Sequence, residues 1–376
     1  MTHSNLYPVI WAIGRKGYLV QSPLISALGA HTRVLAVTNS SNIHLPTIRE
    51  NKQLLHAFST PDNWKDGSSF LFNLNNTRNQ IVDKLRQHAS VIHVVMCSPW
   101  DIFFMGILAK VGVPIIVTIH DAVQHKGEES VVMDYLRDWC ISKADLVTVL
   151  STHVANVLRL NPKFKKPLHV VTDGLVMHSK PALAARYYPS YRPIKILFHG
   201  RIHAYKGLDL LLDAMLLLQS KGKNYSLTIA GAGELGSYQD KIQMLNHISV
   251  KNHFLSDDEL SQLLSEHDVS VLPYIEASQS AVAIDALWAA LPAVATPVGA
   301  LPQQFKDGID ALLTANIDSV AIADTLARLC DDKILYEHLS KGAHESYIKT
   351  GPMQAANQWL ALYNQTILSQ QPLNHV

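Results

Sequence analysis

Short, continuous apolar runs rich in Val and Ile stand at 8–13, 32–37, 91–96, 113–118, 144–151 and 168–174, and again at 194–199, 226–230, 269–272 and 293–298. Their β-branched composition predicts strands buried on both faces. Longer stretches of helical spacing lie between them, among them 18–28, 77–88, 103–111, 208–218, 259–267 and 281–291. Strands alternating with helices mean parallel sheets with helices on both faces, an α/β, doubly wound architecture. At 376 residues the chain is about twice an ordinary domain. The alternation breaks once, at 177–193, where Pro181, Pro189 and Pro193 fall among Tyr187, Tyr188 and Tyr191 without periodicity. The expected organisation is a first domain over 1–180, a linker over 181–193 and a second domain over 194–347. A carboxyl-terminal helix over 348–376 is expected to return to the first domain.

The segment 268–304 reads as a strand, a polar loop, a helix and a second strand, a βαβ unit. Its loop carries Glu276, Ser278, Gln279 and Ser280 at the carboxyl end of a strand and the amino end of a helix, where open α/β sheets bind ligands and helix termini attract anions. Asp285 lies in the otherwise apolar AVAIDALWAA; it either complements the helix dipole from the solvent side or serves a ligand. Upstream, Gly200 and Gly207 bound a turn with Arg201 and Lys206 ahead of an apolar helix, a pattern suited to a diphosphate. Two solvated surface cations are the plainer alternative. Gly231, Gly233 and Gly236 give a Gly-x-Gly-x-x-Gly after the strand SLTIA. Its place inside the second domain, with no clear acid ending the next strand, argues against a dinucleotide fingerprint and for a tight turn lining a nucleotide base. Ser256 to Glu259, SDDE, is a capping box opening the next helix.

In the first domain Gly14 and Gly17 flank Arg15 and Lys16 at the first strand-to-helix turn, a weak ligand signal. His120 follows the strand VPIIVTI directly and projects into the ligand-binding end of the sheet, or else hydrogen-bonds to close the loop. His120, Asp121, His125, Glu128 and Glu129 match no standard metal spacing, so no metal site is expected. Charge divides unevenly: residues 1–180 hold 18 Lys and Arg against 12 Asp and Glu, the remainder 14 against 19. The basic half should face something anionic, and Lys163, Lys165 and Lys166 form either part of such a face or a solvated loop. Cys97, Cys140 and Cys330 are scattered in apolar contexts, which suggests reduced, buried thiols in a cytosol. The amino terminus has no leader pattern and no window is apolar enough for a transmembrane helix, so a cytoplasmic protein is expected.

GRIHAYKG with its Leu-rich helix, IAGAGE, SDDEL with HDVSVLPY, and DALWAALPAVATPVGALPQQFKDG together resemble the carboxyl-terminal domain of retaining family-4 glycosyltransferases of the GT-B fold, with two Rossmann-like domains. The resemblance covers about 194–347, with TIHD and VLS extending it weakly to the first domain. It implies a nucleotide-sugar donor, UDP- or GDP-linked, a glycan or lipid-linked acceptor, and no separate cofactor or metal. It implies that Arg201 and Lys206 hold the diphosphate, Asp285 the ribose, and Glu276 the sugar hydroxyls. Ser278, Gln279 and Ser280 would present backbone amides, Gly14 would touch phosphate, and His120 would reach the sugar beside the reacting carbon. The cytoplasmic membrane face is the implied setting for such acceptors.

Two departures accompany the resemblance. The family commonly places two glutamates separated by seven residues, ahead of a glycine; here the second acid is Asp285, Ala290 replaces the glycine, and Glu276 stands one position too early, with Ala277 at the expected place. The SQS loop is similar to a branch of the family that departs in this way. A sugar transferase is the favoured reading. A GT-B-shaped epimerase or phosphorylase, a silent sugar-nucleotide-binding or scaffold subunit, and an NAD-dependent oxidoreductase are its alternatives.

Overall fold

The computed structural model describes residues 7–14, 17–60, 74–124, 130–172, 174–178 and 181–370. Two compact units divide the chain. The first comprises Met1–Gln124, Glu129–Ser179 and Gly351–Val376; the second comprises His125–Glu128 and Lys180–Thr350.

The first unit runs β1 (Tyr7–Ala12), α1 (Tyr18–Gly29), β2 (Leu35–Asn39), α2 (Leu45–Glu50), β3 (Leu54–Phe58), α3 (Leu74–His88), β4 (Ala89–Val94), α4 (Met105–Leu108), β5 (Ile115–Ile119), α5 (Val131–Lys143), β6 (Leu146–Val149), α6 (Thr152–Leu160) and β7 (Leu168–Val170). The second runs β8 (Lys195–His199), α7 (Leu208–Ser220), β9 (Ser226–Ala230), α8 (Gln239–Met244), β10 (Ile248–Lys251), α9 (Asp257–Glu266), β11 (Val269–Leu272), α10 (Ala281–Trp288), β12 (Ala293–Ala295), α11 (Leu301–Gln304), β13 (Ala311–Leu313), α12 (Ser319–Asp331) and α13 (Lys333–Thr350). The last helix, α14 (Pro352–Ser369), belongs to the first unit.

Both sheets are wholly parallel. The first has the order β3-β2-β1-β4-β5-β6-β7 and the second β10-β9-β8-β11-β12-β13. Each therefore reverses direction of growth beside its first strand, between β1 and β4 in one and between β8 and β11 in the other. Ligands of doubly wound sheets settle outside the carboxyl ends of strands at that reversal. Burial explains the Val and Ile runs: Val9 to Ala12 and Ile115 to Val117 are at most 1% exposed, because helices cover both faces.

Sequence patterning missed α2 and β3, short and half-buried elements whose HAF and LPTIRE segments lack a sustained period. The 103–111 stretch, expected as one helix, is a 3-10 turn at Pro99–Phe103 followed by the single turn α4.

Residues 181–193 carry no regular element yet are bound tightly to the second unit. The Arg186 guanidinium donates to the carbonyls of Leu264, Ser265, His267 and Ala289 at 2.7–3.1 Å. Three of these lie at the end of α9, where helix carbonyls lack intrahelical partners. Arg192 forms a bidentate pair with Asp268, at 2.5 and 2.7 Å.

In the first unit α14 is fastened by a buried polar chain. His93 Nδ1 lies 2.7 Å from the Tyr363 hydroxyl, its Nε2 lies 2.7 Å from Thr118 Oγ1, and Thr118 meets Thr148 at 2.8 Å. Trp359 packs its ring 4.4 Å from His93 and donates to the Gly174 carbonyl at 2.9 Å. Burial, and to a lesser degree His120, pushes the His93 pKa down to about 3, so the ring is neutral. None of Cys97, Cys140 and Cys330 is in a disulfide; Cys140 and Cys330 are buried and Cys97 partly so. Among the described residues no helix is long and apolar enough to cross a membrane.

Candidate active site

The second sheet turns at β8 and β11, and its candidate residues gather on the loops that leave those strands. β8 ends in His199 and passes into Gly200 at φ +104°. The chain then turns through a 3-10 segment, Ala204–Lys206, and enters α7 from Gly207 at φ +70°. A Cβ on Gly207 would stand 1.8 Å from the Pro273 carbonyl oxygen, so only glycine lets this turn rest on the exit of β11. The contact is sealed by Ile275 N–H donating to the Tyr205 carbonyl at 2.8 Å.

The two cations of this turn differ. Arg201 is exposed, with Nη2 3.2 Å from the Tyr205 hydroxyl. Lys206 is only 9% exposed, which removes the alternative of a solvated surface cation. Its ammonium lies 3.9 Å from the centroid of the Tyr274 ring and donates to the Tyr274 hydroxyl at 2.7 Å. Tyr274 itself is 1% exposed, and burial raises its pKa far above the ordinary phenol value, keeping it a neutral partner. Its hydroxyl also lies 3.2 Å from Ser280 Oγ, so Lys206, Tyr274 and Ser280 form one chain across the crevice.

Asp285 does not point to water. It is 4% exposed, on the second turn of α10, and its Oδ2 lies 3.0 Å from Nε2 of the equally buried His199. This pair ties the end of β8 to α10. His199 was not singled out in the sequence; the sole signal is a histidine at the end of the apolar strand IKILFHG. Among the described residues its buried Nδ1 has no hydrogen-bond partner, a polar atom that folding leaves unsatisfied.

The 273–280 loop is held rigidly from below. Thr296 Oγ1 donates to the Tyr274 carbonyl at 2.6 Å, and Ala300 N–H to the Ala277 carbonyl at 3.1 Å. Gln304 binds both ends of the Ser280 peptide, accepting from its N–H at 2.8 Å and donating to its carbonyl at 3.0 Å. The Ser280 amide, expected to be presented to a ligand, is thus occupied by Gln304. Ser278 is buried, Gln279 and Glu276 are half-buried, and all three sit on this loop. Ala277, at the place where the family's first glutamate was expected, is 5% exposed and packs into the core. Glu276 is therefore the acid this loop carries outward of its core.

Gly231 and Gly233 serve the backbone. A Cβ on Gly231 would lie 1.9 Å from the Gly200 carbonyl oxygen, and one on Gly233 2.1 Å from that of Ile202. The two turns lie directly against each other, joined by Gly200 N–H to Ala230 at 3.0 Å and Ile202 N–H to Ala232 at 2.9 Å. Gly236 has nothing within 4 Å of its added Cβ. The glycine spacing thus reflects the docking of the 230–233 turn on the 200–202 turn, and Asn252 caps it by bonding both N–H and carbonyl of Gly233. The SDDE capping box forms as expected: Ser256 and Glu259 bond reciprocally, and Glu259 is held down to about 2, chiefly by the Ser256 amide.

The first unit's candidates lie at its own point of reversal. Gly14 leaves β1, and a Cβ there would meet Ser98 Cβ at 2.8 Å. Ser98 is fixed by Asp101, whose Oδ2 accepts from its N–H and hydroxyl and whose Oδ1 accepts from Trp11 Nε1 at 2.7 Å. Burial raises the Asp101 pKa to about 6 despite these donors. His120 follows β5 half-buried and donates its Nε2–H to the Val95 carbonyl at 2.8 Å, so its ring ties the ends of β4 and β5. His125, Glu128 and Glu129 lie outside the described residues, as do Arg15 and Lys16. Among the described residues no cluster of His, Cys, Asp or Glu could hold a metal ion.

Residues 193–332 match the family model "Glycosyl transferases group 1". The α-D-kanosaminyltransferase of Streptomyces kanamyceticus is 22% identical over 281 residues, 69% of this chain and 72% of that protein. The glycogen synthase of Mycobacterium tuberculosis is 25% identical over 244 residues, 62% of this chain and 58% of that protein. Among solved structures, Anabaena HepE in complex with UDP-glucose superposes with a TM-score of 0.70 at 14% identity, covering 96% of this chain and all of that one. The sucrose-phosphate synthase of Thermosynechococcus elongatus gives 0.72 at 15% identity over 97% of this chain and all of that one. Residues 193–332 are thus similar to the glycosyl transferases group 1, in a chain built of two parallel-sheet, Rossmann-like units with the GT-B fold.

Proposed function

We propose that the protein is a retaining glycosyltransferase that moves a hexose from a UDP- or GDP-sugar to a hydroxyl of a glycan or lipid-linked acceptor in surface-polysaccharide synthesis. The observation that carries the reading is the placing of Lys206, Asp285 and the 273–280 loop together where the second sheet reverses. A buried cation at the amino end of α7 suits a diphosphate, whose charge grows as the sugar leaves. Arg201 adds a second cation from the same turn, and the Asp285 carboxylate, held by His199, suits ribose hydroxyls. Glu276 and the backbone of Ser278 and Gln279 are the groups for the sugar; Gly14 and His120 are carried forward from the first unit by resemblance. With retention, the acceptor attacks from the leaving-group side and the departing phosphate takes its proton, so the chain's own groups bind, orient and neutralise.

The reading needs no resident metal or cofactor, and turnover is expected to survive EDTA. The setting is the cytoplasm, with reversible contact at an anionic membrane face through the basic first half. Thermal-shift screening against UDP- and GDP-sugars, followed by donor hydrolysis and NMR of the product's anomeric configuration, tests it. A ligand at about 100 times its dissociation constant adds about 2.7 kcal/mol, a readable shift. Binding without hydrolysis or transfer would favour a silent sugar-nucleotide-binding subunit, and an inverted product would overturn the retaining mechanism.

A further inference from the structure

A groove of about 590 Å³ opens on the first unit between α5, α6 and the loop that leads to β7. Its size is that of a site for a small organic molecule. The floor is apolar: Ile141 and Leu158 are buried, and Val157 and Phe164 are half-buried. The rim is cationic. Arg137 is consumed by its neighbours, bonding the Ala122 carbonyl, Asp134 and Asp138 at 2.8–3.3 Å, and Lys166 donates to the Ala144 carbonyl at 2.7 Å. Lys163 and Lys165 are exposed, and among the described residues neither ammonium has a carboxylate partner. Among the described residues the lining holds four cations against two carboxylates.

The α5 lining outward of Ile141 is charged, Asp134, Arg137 and Asp138, and the wall beyond Ala122 ends in Val123, 64% exposed. An aliphatic floor under two unpaired ammonium groups complements neither a nucleotide nor a neutral sugar. We propose that this groove binds a single anionic amphiphile, its phosphate on Lys163 and Lys165 and its alkyl chain along Ile141, Leu158 and Phe164. Lys163 and Lys165 stand on the loop that leads into β7, at the amino ends of the parallel strands, whereas His120 follows β5 at their carboxyl ends, so the phosphate position is separate from the ligand end of the first sheet. This binding does not rest on the transferase reading.

The test is calorimetry of the full chain with dodecyl phosphate below its micelle concentration, set against inorganic phosphate and dodecyl maltoside. Saturable one-to-one binding at least about tenfold tighter than either control is expected. The double variant Lys163→Glu/Lys165→Glu, at exposed positions, should weaken it about tenfold or more, since each charge-assisted contact is worth that much. Ser142→Trp, which fills the groove from an exposed lining position, should weaken it as strongly while leaving net charge unchanged. Donor hydrolysis by both variants is expected within twofold of the parent. No saturable binding, or binding insensitive to both variants, overturns the proposal. So does a pattern in which Ser142→Trp binds normally while the Lys variant loses affinity for phosphatidylglycerol vesicles, which would make the lysines a bilayer contact. Binding that behaves as expected in a protein that neither hydrolyses nor transfers any donor sugar would remove the transferase reading and leave the groove standing.

Discussion

Replacing Lys206 by Met and by Ala separates the work of its charge from the packing of its stem. The side chain is 9% exposed, so truncation to Ala strips three buried methylene groups at about 0.8 kcal/mol each, roughly 2 kcal/mol in all. For a unit of this size that lowers Tm by about 4–8 °C. Met keeps an unbranched stem of similar volume. It forfeits the ammonium's contact with the Tyr274 ring at 3.9 Å, about 2 kcal/mol when desolvated. It also removes the cost of keeping an ammonium out of water, which opposes that loss. The Met variant should therefore melt close to the parent. Transfer should fall alike in both, by about 10² to 10³, the usual effect of removing one preorganised group that stabilises developing charge. Arg201→Ala, at an exposed position, should lower turnover comparably with no change in Tm. Steady-state kcat/KM on the preferred donor, UDP and GDP calorimetry, and thermal unfolding give the three readouts. A Met variant within about threefold of parental turnover, beside a crippled Ala variant, would assign Lys206 to packing and refute the diphosphate role.

Asp285→Asn, which keeps the shape but not the charge beside His199, should raise the donor nucleotide's Kd about tenfold or more, and unchanged calorimetry would remove the ribose assignment. Gly231→Ala should cost several kcal/mol, because its Cβ would stand 1.9 Å from Gly200 O at a φ of +146°, while Gly236→Ala should melt as the parent does; equal Tm values would sink the docking explanation. His93 is neutral in the fold, with its pKa lowered to about 3 from an ordinary 6.5, so the unfolded chain binds the proton first; stability present above pH 6.5 is lost as pH falls, by about 3 kcal/mol between pH 7.5 and 4.5. Asp101, raised to about 6, opposes this by taking its proton first in the fold, so urea unfolding must compare the parent with His93→Gln, which is expected to retain more of its pH 7.5 stability at pH 4.5 than the parent does.

The alternation of strands and helices was legible because both faces of each sheet are covered and every strand is a continuous apolar run. The SDDE capping box was legible because its partners are three residues apart. The pairs that give the site its rigidity were not. His199 meets Asp285 across 86 positions, Lys206 meets Tyr274 across 68, and His93 meets Tyr363 across 270. No periodicity links such residues; only the order of the parallel strands brings them together. For the same reason the burial of Lys206 was invisible, since a lysine between glycines reads as surface until the tyrosine that covers it is placed.

The two departures from the family pattern resolve differently. Ala290, standing where the family has glycine, follows α10 at φ +52°, the left-handed conformation that glycine adopts without strain. That conformation costs a non-glycine residue about 1–2 kcal/mol. Against it stand a fully buried methyl, about 0.8 kcal/mol, and the lower entropy of an unfolded chain with Ala, about 0.4–1 kcal/mol. The terms nearly cancel, so Ala is tolerated without moving the backbone, which is still closed by Leu291 N–H on Ala286 and by Ser340 on the Ala290 carbonyl. This departure therefore carries no information about the donor. At 276–277 Ala277 is packed inward with its carbonyl bonded by Ala300, and the acid of the loop is Glu276, one residue earlier. A glutamate restored at 277 would have to enter the core beside the central strand β11, so Ala277→Glu should destabilise the second unit rather than rebuild the family's usual sugar contact.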